Sequence, residues 1–259
     1  MGEIHSVAAR GFGAAAETYA AARPEYPPAA VDAVVEAMAL PAGHRVLELG
    51  AGTGTFTRAL LERGVTVAAL EPVRQMRAIL AGRSPGVEIM EGSAESIGSP
   101  GEAFDAAVAA QAFHWFRFDE AVPEIARVLK PGGTLALVWN VRDERPAWVR
   151  EITEIIEPYE EPGGVRVPRH RERRWREALE QRREFAPVSE TEFGHPGQEM
   201  DLEGLVARVG STSFIAELPA QDRATVDARV RALAERHAEL RAARFTFPYV
   251  TEVYVYRRA

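Results

Sequence analysis

The amino-acid sequence predicts an α/β fold in which helices cover both faces of a mostly parallel β-sheet. Short apolar runs alternate with helical segments up to residue 140, at the spacing of βαβ units. The apolar runs are almost continuous, which is typical of parallel strands that are buried on both faces. A loop with three alternate glycines follows the first run, at the end of the strand where such sheets bind ligands.

The elements of the first half follow one another in a regular order. A helix is predicted at 27–40, because valines and a methionine recur there at helical spacing behind a proline. Further helices are predicted at 55–63, 73–81 and 119–129. The predicted strands are HRVLELG (44–50), VTVAALE (65–71), VEIMEG (87–92), FDAAVAAQ (104–111) and TLALVWN (134–140).

The pattern becomes less regular after the fifth strand. A loop or lid rich in proline and glycine is predicted at 157–170. A short helix at 201–209 and an amphipathic helix at 219–240 follow it. The alternating segment 245–258 is predicted to pair with a strand at about 188–193, and these two late strands complete a seven-stranded sheet.

The composition excludes several classes of site. No cysteine occurs among the 259 residues, which excludes a disulfide framework, a thiolate metal site and a cysteine nucleophile. The histidines share no spacing typical of metal ligands, so no metal is predicted. No apolar run reaches the roughly 18 residues that a membrane helix needs, and we expect a cytoplasmic protein. The net charge of −7 disfavours a nucleic-acid binder.

The glycine loop after the first strand is a candidate ligand site. Gly50, Gly52 and Gly54 would let the main chain approach a ligand, and the N–H groups of the next helix would favour negative charge. A dinucleotide fingerprint, G-x-G-x-x-G, would place its third glycine at position 55, where this sequence has Thr55. This difference disfavours an NAD-dependent oxidoreductase. A tight turn without a ligand is the alternative, although one glycine would suffice for it.

Glu71 ends the second strand about 20 positions after the glycines, where a carboxylate can accept hydrogen bonds from a ribose diol. A carboxylate in water at a strand end is the alternative. Together the loop and this carboxylate favour a nucleoside ligand.

The sequence resembles a known family in four stretches: ELGAGTG, LEPVRQM, GSAESI and AQAFHWF. They are similar to class I S-adenosylmethionine-dependent methyltransferases of the small-molecule branch, which includes methyltransferase type 11 and trans-aconitate methyltransferase-like enzymes. The resemblance extends to about residue 150 and is weaker in the final strands. It implies a Rossmann-like, doubly wound sheet with an antiparallel C-terminal strand. It also implies a single domain over 1–259, with a helical cap from 1–30 and 141–244 that encloses the acceptor.

The resemblance further implies that S-adenosylmethionine binds at the glycine loop and leaves as S-adenosylhomocysteine. In this family the strand-end carboxylate holds the ribose, and Pro72 and Met76 pack on the adenine. Many relatives carry an aspartate where Ser93 stands, so the adenine amino group could contact Ser93, Glu95 or the main chain. The implied cofactor residues are Tyr19, Arg23, Glu48, Gly50, Ala51, Gly52, Glu71, Pro72, Met76, Ser93, Ala94, Glu95 and Gln111.

Methyl transfer from a sulfonium requires donor and acceptor in line and water excluded, and it needs a base only for a protonated nucleophile. His114 is a candidate base, or it could orient the substrate or make only a structural hydrogen bond. Phe113 and Trp115 could wall the substrate pocket or serve as ordinary packing. Asn140 could contact the substrate or cap the next segment.

These observations predict methyl transfer to a small molecule, with the oxygen of a carboxylate or hydroxyl as the acceptor. An RNA or protein methyltransferase and a non-catalytic S-adenosylmethionine-binding protein remain as alternatives. The segment RVPRHRERRWREALEQRRE (166–184) bears on this choice, because it holds eight arginines and four glutamates. It could be a solvated helix that buries Trp175 and Leu179, a basic lid for an acidic substrate or, least favoured, a nucleic-acid patch.

Overall fold

A computed structural model describes residues 24–160 and 170–259. The predicted cofactor residues Tyr19 and Arg23, and most of the predicted loop at 157–170, lie outside the described residues. Within the described ranges the chain divides into two compact units. The sheet unit comprises 25–140, 170–194 and 251–259, and the helical unit comprises 24, 141–160 and 195–250. That the whole chain forms one methyltransferase domain stays a prediction.

The strands are β1 (Val46–Leu49), β2 (Val67–Leu70), β3 (Glu88–Met90), β4 (Phe104–Ala110), β5 (Leu129–Arg142), β6 (Phe185–Gly194), β7 (Gln198–Met200), β8 (Phe245–Phe247) and β9 (Tyr249–Arg258). The helices are α1 (Pro28–Met38), α2 (Thr55–Leu61), α3 (Arg74–Arg83), α4 (Phe118–Val128), α5 (Ala147–Ile156), α6 (Arg174–Glu180), α7 (Leu202–Gly210), α8 (Ser213–Ala216) and α9 (Ala220–Arg236). Short 3₁₀ turns cover Phe113–Trp115, Glu157–Tyr159, His170–Glu172 and Ala238–Arg241.

Seven of the described strands form one sheet in the order β3-β2-β1-β4-β5-β9-β6. The strands β1 to β5 run parallel, with Val46 opposite both Val67 and Ala106. The C-terminal strand β9 is antiparallel and lies between β5 and β6. The predicted fold class is therefore confirmed. The predicted pairing of the late segment is confirmed for Tyr249–Arg258, whereas Phe245–Phe247 forms the separate strand β8, which pairs with β7 instead.

Both faces of this sheet are buried. On one face a core forms from alternate strand residues such as Val46, Val108 and Val138, against Val34 of α1 and Leu60 of α2. The residues between them on the strands point to the opposite face and are also buried, among them Leu47, Leu70, Ala107, Leu137 and Trp139. This double burial explains why the strands are continuously apolar.

Most predicted boundaries differ from the structure by one to three residues, and those of β5 and α9 differ by more. Strand β5 begins at Leu129 rather than at Thr134, because Leu129 still pairs with Phe104 before a register shift. The helix predicted at 219–240 ends at Arg236, since His237 has extended backbone angles (φ −116°, ψ 117°). The imidazole Nε2 of His237 lies 2.6 Å from the carboxylate of Glu151, which holds it out of the helical path.

The helical unit contains a feature that the sequence patterns missed. Strands β7 and β8 form a separate antiparallel pair, with Glu199 opposite Thr246. Trp148 of α5 packs its ring 5.9 Å from Phe245 and 5.5 Å from Phe247. In residues 24–160 and 170–259, no helix combines the length and the apolar character that crossing a membrane would require.

Candidate functional site

The candidate site lies at the carboxyl edge of the parallel strands. The sheet order reverses between β1 and β4, which are neighbours although β2 and β3 separate them in sequence. Open α/β sheets bind ligands outside the carboxyl ends of the strands at such a switch point. The glycine loop follows β1, Glu71 follows β2 and Gln111 follows β4, so their backbones meet at this edge.

The three loop glycines have positive φ angles of 67°, 57° and 82°, but each is required for a different reason. A methyl group on Gly50 would lie 2.8 Å from Cβ of Ala112, and one on Gly54 would lie 2.4 Å from Cδ1 of Leu80. Among the described residues, a methyl group on Gly52 would meet only the sulfur of Met76, at 3.8 Å. Gly50 and Gly54 therefore allow the chain to pack, whereas the space beside Gly52 is open to a ligand.

Glu71 is buried, with 4% of its surface exposed, and its carboxylate is fixed by the main chain. The N–H of Gly52 donates to Oε2 and the N–H of Val73 donates to Oε1, both at 2.8 Å. Burial raises the pKa of Glu71, and these two hydrogen bonds oppose that rise. Because a carboxylate oxygen can accept more than one hydrogen bond, each oxygen retains capacity for a ligand hydroxyl.

Glu48 on β1 is a second buried carboxyl group, 2% exposed. Its Oε2 accepts a hydrogen bond of 2.6 Å from the Thr57 hydroxyl. Burial raises the pKa of Glu48 to about 8, and the charge of Glu71 adds to the rise. Positive charge from a ligand at this edge would be stabilised by the ionised form of Glu48.

The remaining predicted adenine residues differ in exposure. Met76 is buried on α3 and Ala94 is buried after β3, whereas Pro72 is exposed. Ser93 makes a bridge with Ser96. The side chain of Glu95 is 2% exposed and accepts the main-chain N–H of Arg117 at 2.8 Å.

Gln111 and Asn140 are linked at the ends of β4 and β5. Gln111 has a positive φ of 58°, which is unusual for a residue other than glycine, and its Nε2 donates to the Asn140 carbonyl at 2.8 Å. The side-chain Nδ2 of Asn140 donates to the Glu25 carbonyl at 3.1 Å, and its Oδ1 accepts the Thr251 hydroxyl at 2.6 Å. The side chain of Asn140 thus links Glu25, at the start of the sheet unit, to Thr251 of β9 by hydrogen bonds.

His114 lies in the 3₁₀ turn after β4, and its ring is oriented by Trp139. The indole Nε1 of Trp139 donates to Nδ1 of His114 at 3.1 Å. Since Nδ1 accepts, the neutral ring carries its proton on Nε2. Phe113 is fully buried and packs on Phe116 at 5.4 Å and Phe118 at 5.6 Å, as in the packing alternative.

An aromatic cluster around Trp139 was not predicted as a unit. The Trp139 ring lies 4.3 Å from His170 and 4.7 Å from Trp175, and Trp175 lies 4.7 Å from Tyr254. The Tyr254 hydroxyl donates to Glu252 at 2.6 Å. Burial alone would raise the pKa of Glu252, but the nearby His170 ring and this hydroxyl hold it below its usual value. The one feature of the sequence that pointed to this cluster was the possible burial of Trp175 in the basic segment.

The described residues contain no group of three or more histidines, aspartates and glutamates arranged to hold a metal ion. The absence of a metal from the enzyme stays a prediction, because part of the chain is not described.

Comparisons with known proteins agree with this geometry. The family model described as a methyltransferase domain matches residues 47–137. An uncharacterized methyltransferase of Mycobacterium tuberculosis (strain H37Rv) is 39% identical over 250 residues, which are 93% of this chain and 92% of the relative.

Two solved structures show a similar fold. The YcgJ protein of Bacillus subtilis has a TM-score of 0.57 at 20% identity, over 89% of this chain and 98% of that one. The geranyl diphosphate C-methyltransferase of Streptomyces coelicolor, solved with Mg²⁺, geranyl diphosphate and S-adenosylhomocysteine, has a TM-score of 0.50 at 14% identity, over 89% and 78%. The chain therefore belongs to the class I S-adenosylmethionine-dependent methyltransferases.

Proposed function

We propose that this methyltransferase methylates an oxygen atom of a small-molecule acceptor, a carboxylate or a hydroxyl. The hydrogen bond from Trp139 to Nδ1 of His114 is the observation that carries the proposal. It makes the Nε2–H of His114 a donor, which suits an acceptor with oxygen lone pairs. A carboxylate is already ionised at neutral pH and needs no base, so a histidine that donates is sufficient for it. A hydroxyl acceptor would need a base to take its proton, and Nδ1 of His114 is already engaged by Trp139, so this geometry favours the carboxylate.

The residues at the carboxyl edge fit the methyl donor, which supplies an electrophilic methyl group on a sulfonium. Two features support the fit: the open space beside Gly52, and the two Glu71 oxygens that each accept only one main-chain hydrogen bond. We assign the ribose to Glu71. The adenine is assigned to Pro72, Met76, Ser93, Ala94 and Glu95. The methionine part is assigned to Glu48, Gly50, Ala51, Gly52 and Gln111, with Tyr19 and Arg23 on the sequence resemblance alone.

His114 serves in this proposal as a hydrogen-bond donor that orients the acceptor. Trp115 is assigned to the wall that excludes water, and its ring lies 5.4 Å from the His114 ring. Asn140 is assigned to positioning, because its side chain is already engaged by Glu25 and Thr251. We further propose that 1–30 and 141–244 determine which acceptor is used.

The ribose assignment is tested with Glu71→Gln. The substitution removes a charged acceptor, so S-adenosylhomocysteine should bind more weakly by about 1–3 kcal/mol in calorimetric titration. Glu88→Gln is the matched control, since Glu88 lies at the next strand but is exposed and pairs with Arg45. Equal affinity in both variants and in the wild type would contradict the assignment.

The acceptor class is tested with donor carrying a radiolabelled methyl group and separate panels of carboxylic acids, alcohols, amines and tRNA. We expect label on a small molecule. Label that mild alkali releases as methanol identifies a methyl ester, and alkali-stable label identifies an ether or an N- or C-methyl product. Transfer to tRNA alone, or to an amine alone, would refute the proposal.

A further inference from the structure

Arg208 on α7 is an unusual residue within the helical unit, because its charge is buried without a carboxylate partner. Only 6% of its surface is exposed. Its Nε donates to the Tyr249 hydroxyl at 2.8 Å, and its guanidinium carbon lies 5.8 Å from the centre of the Tyr249 ring. Within the part of the chain that the structure describes, no aspartate or glutamate lies at ion-pair distance from it.

Three other arginines of this unit form ion pairs. Arg231 binds Glu203, Arg236 binds Glu151 and Arg145 binds Asp143, and each of these three arginines is far more exposed than Arg208. A buried charge carries a large desolvation cost and is nearly always paired. Burial normally goes with ion pairing, but among these four arginines the most buried one, Arg208, is the one without a carboxylate partner.

The guanidinium of Arg208 has donor capacity to spare. It presents five N–H groups, and the Tyr249 hydroxyl accepts only the one on Nε. Among the described residues, neither terminal nitrogen of Arg208 has a hydrogen-bond partner. Two parallel N–H groups in a fixed plane match the two oxygens of a carboxylate.

Two further residues, His195 and Asp143, lie near Tyr249 or its chain neighbour Pro248. The His195 ring lies 5.3 Å from the Tyr249 ring, and its Nδ1 accepts the Gly197 N–H at 2.8 Å, so its neutral form carries the proton on Nε2. The N–H of Asp143 donates to the Pro248 carbonyl at 3.1 Å, which brings Asp143 near, but its carboxylate is engaged by Arg145.

We infer that Arg208 and Tyr249 form a binding site in the helical unit for the carboxylate of a small molecule other than the methyl donor. One guanidinium and one phenol suit a single negative charge, whereas a phosphate dianion would call for further cations. The inference goes beyond the proposed function and does not depend on it. The methionine part of the methyl donor also carries a carboxylate, and the experiment separates these two sources.

The site is tested with Arg208→Gln, Arg208→Met and the control Arg231→Gln. Titration with ¹³C-labelled succinate, followed by NMR, should show saturable binding to the wild type and to Arg231→Gln, and at least a tenfold loss in both Arg208 variants. The melting temperature of ligand-free Arg208→Met should equal or exceed that of the wild type, because the variant removes an uncompensated buried charge. A large fall in that melting temperature would instead assign Arg208 a structural role and overturn the inference.

Binding of the donor product gives the second readout. S-adenosylhomocysteine and 5′-methylthioadenosine, which lacks the amino-acid carboxylate, should each bind the Arg208 variants as tightly as the wild type. Loss of affinity for S-adenosylhomocysteine alone would overturn the inference and assign the site to the carboxylate of the donor. If the wild type bound neither nucleoside, the proposed function would fail, and the succinate titration would still decide whether Arg208 binds a carboxylate.

Discussion

Two buried carboxyl groups at the carboxyl edge of the sheet differ in how they are held. Glu71 accepts main-chain N–H groups on both oxygens, whereas Glu48 receives one hydroxyl hydrogen bond. The sequence predicted Glu71 from its place at a strand end, and implied Glu48 only through the family resemblance. It could not predict their protonation, which depends on burial and on the distance between two side chains from different strands.

The raised pKa of Glu48 makes folding stability depend on pH. The pKa moves from 4.5 to about 8 on folding, so the folded state retains a proton that the unfolded state loses. Stability contributed by protonated Glu48 is present below pH 4.5 and is lost as the pH rises towards 8. Glu48→Gln has no group that titrates at this position, so it does not lose stability in this way. The difference in melting temperature, variant minus wild type, should therefore increase as the pH rises from 4.5 towards 8. Thermal denaturation from pH 5 to about pH 9 checks this, with Glu88→Gln expected to run parallel to the wild type.

The hydrogen bond from Trp139 fixes which nitrogen of His114 carries the proton. Trp139→Phe removes the donor, so the neutral ring should become a mixture of the two tautomers, visible in ¹⁵N chemical shifts of labelled histidine. Trp175→Phe alters the same aromatic cluster but leaves the bond to His114 in place, and should keep the wild-type shifts. A wild-type spectrum with the proton on Nδ1 would exclude the orientation that we propose for His114.

The glycines of the loop after β1 have different roles: Gly50 and Gly54 allow close packing, and Gly52 leaves space for a ligand. Gly52→Ala adds a methyl group whose nearest neighbour among the described residues is the Met76 sulfur, at an ordinary contact distance of 3.8 Å. Its folding cost should therefore be the strain of a positive φ, about 1–2 kcal/mol. The same strain arises in Gly64→Ala, where φ is 73° and no atom lies within 4 Å. The two variants should therefore melt at similar temperatures, but only Gly52→Ala should bind S-adenosylhomocysteine more weakly, by about tenfold or more. Equal binding by both would mean that no ligand occupies the space beside Gly52.

Long, periodic elements were predictable from the sequence, and short ones were not. The five parallel strands and their helices follow from apolar runs, since burial on both faces leaves a clear pattern. Strands β7 and β8 have three residues each, too few to show a period of two. Helix α9 ends at Arg236 through a tertiary contact between His237 and Glu151, which sequence spacing cannot reveal. Similarly, the pairing of His114 with Trp139 joins residues on different elements.

The charge of the whole chain bears on which class of acceptor it uses. The basic segment around α6 suggested three roles, and its described arginines favour the solvated helix. Arg176 pairs with Glu180 and Glu190, and Arg173 also lies near Glu190. Arg182 pairs with Asp119. Carboxylates from the same unit thus neutralise charges that a phosphate backbone would otherwise contact, and the net charge of −7 repels it further.

We therefore expect no complex with tRNA in a gel-shift assay at about 50 mM salt, where non-specific electrostatic binding is strong. The double variant Glu180→Gln, Glu190→Gln leaves Arg176 without its two carboxylates and provides the matched comparison. If ion pairing is what masks the segment, this variant should retard tRNA weakly and in a salt-sensitive manner while the wild type does not. Salt-sensitive retardation by the wild type would show that the arginines remain available despite their partners, and would favour an RNA acceptor over a small molecule.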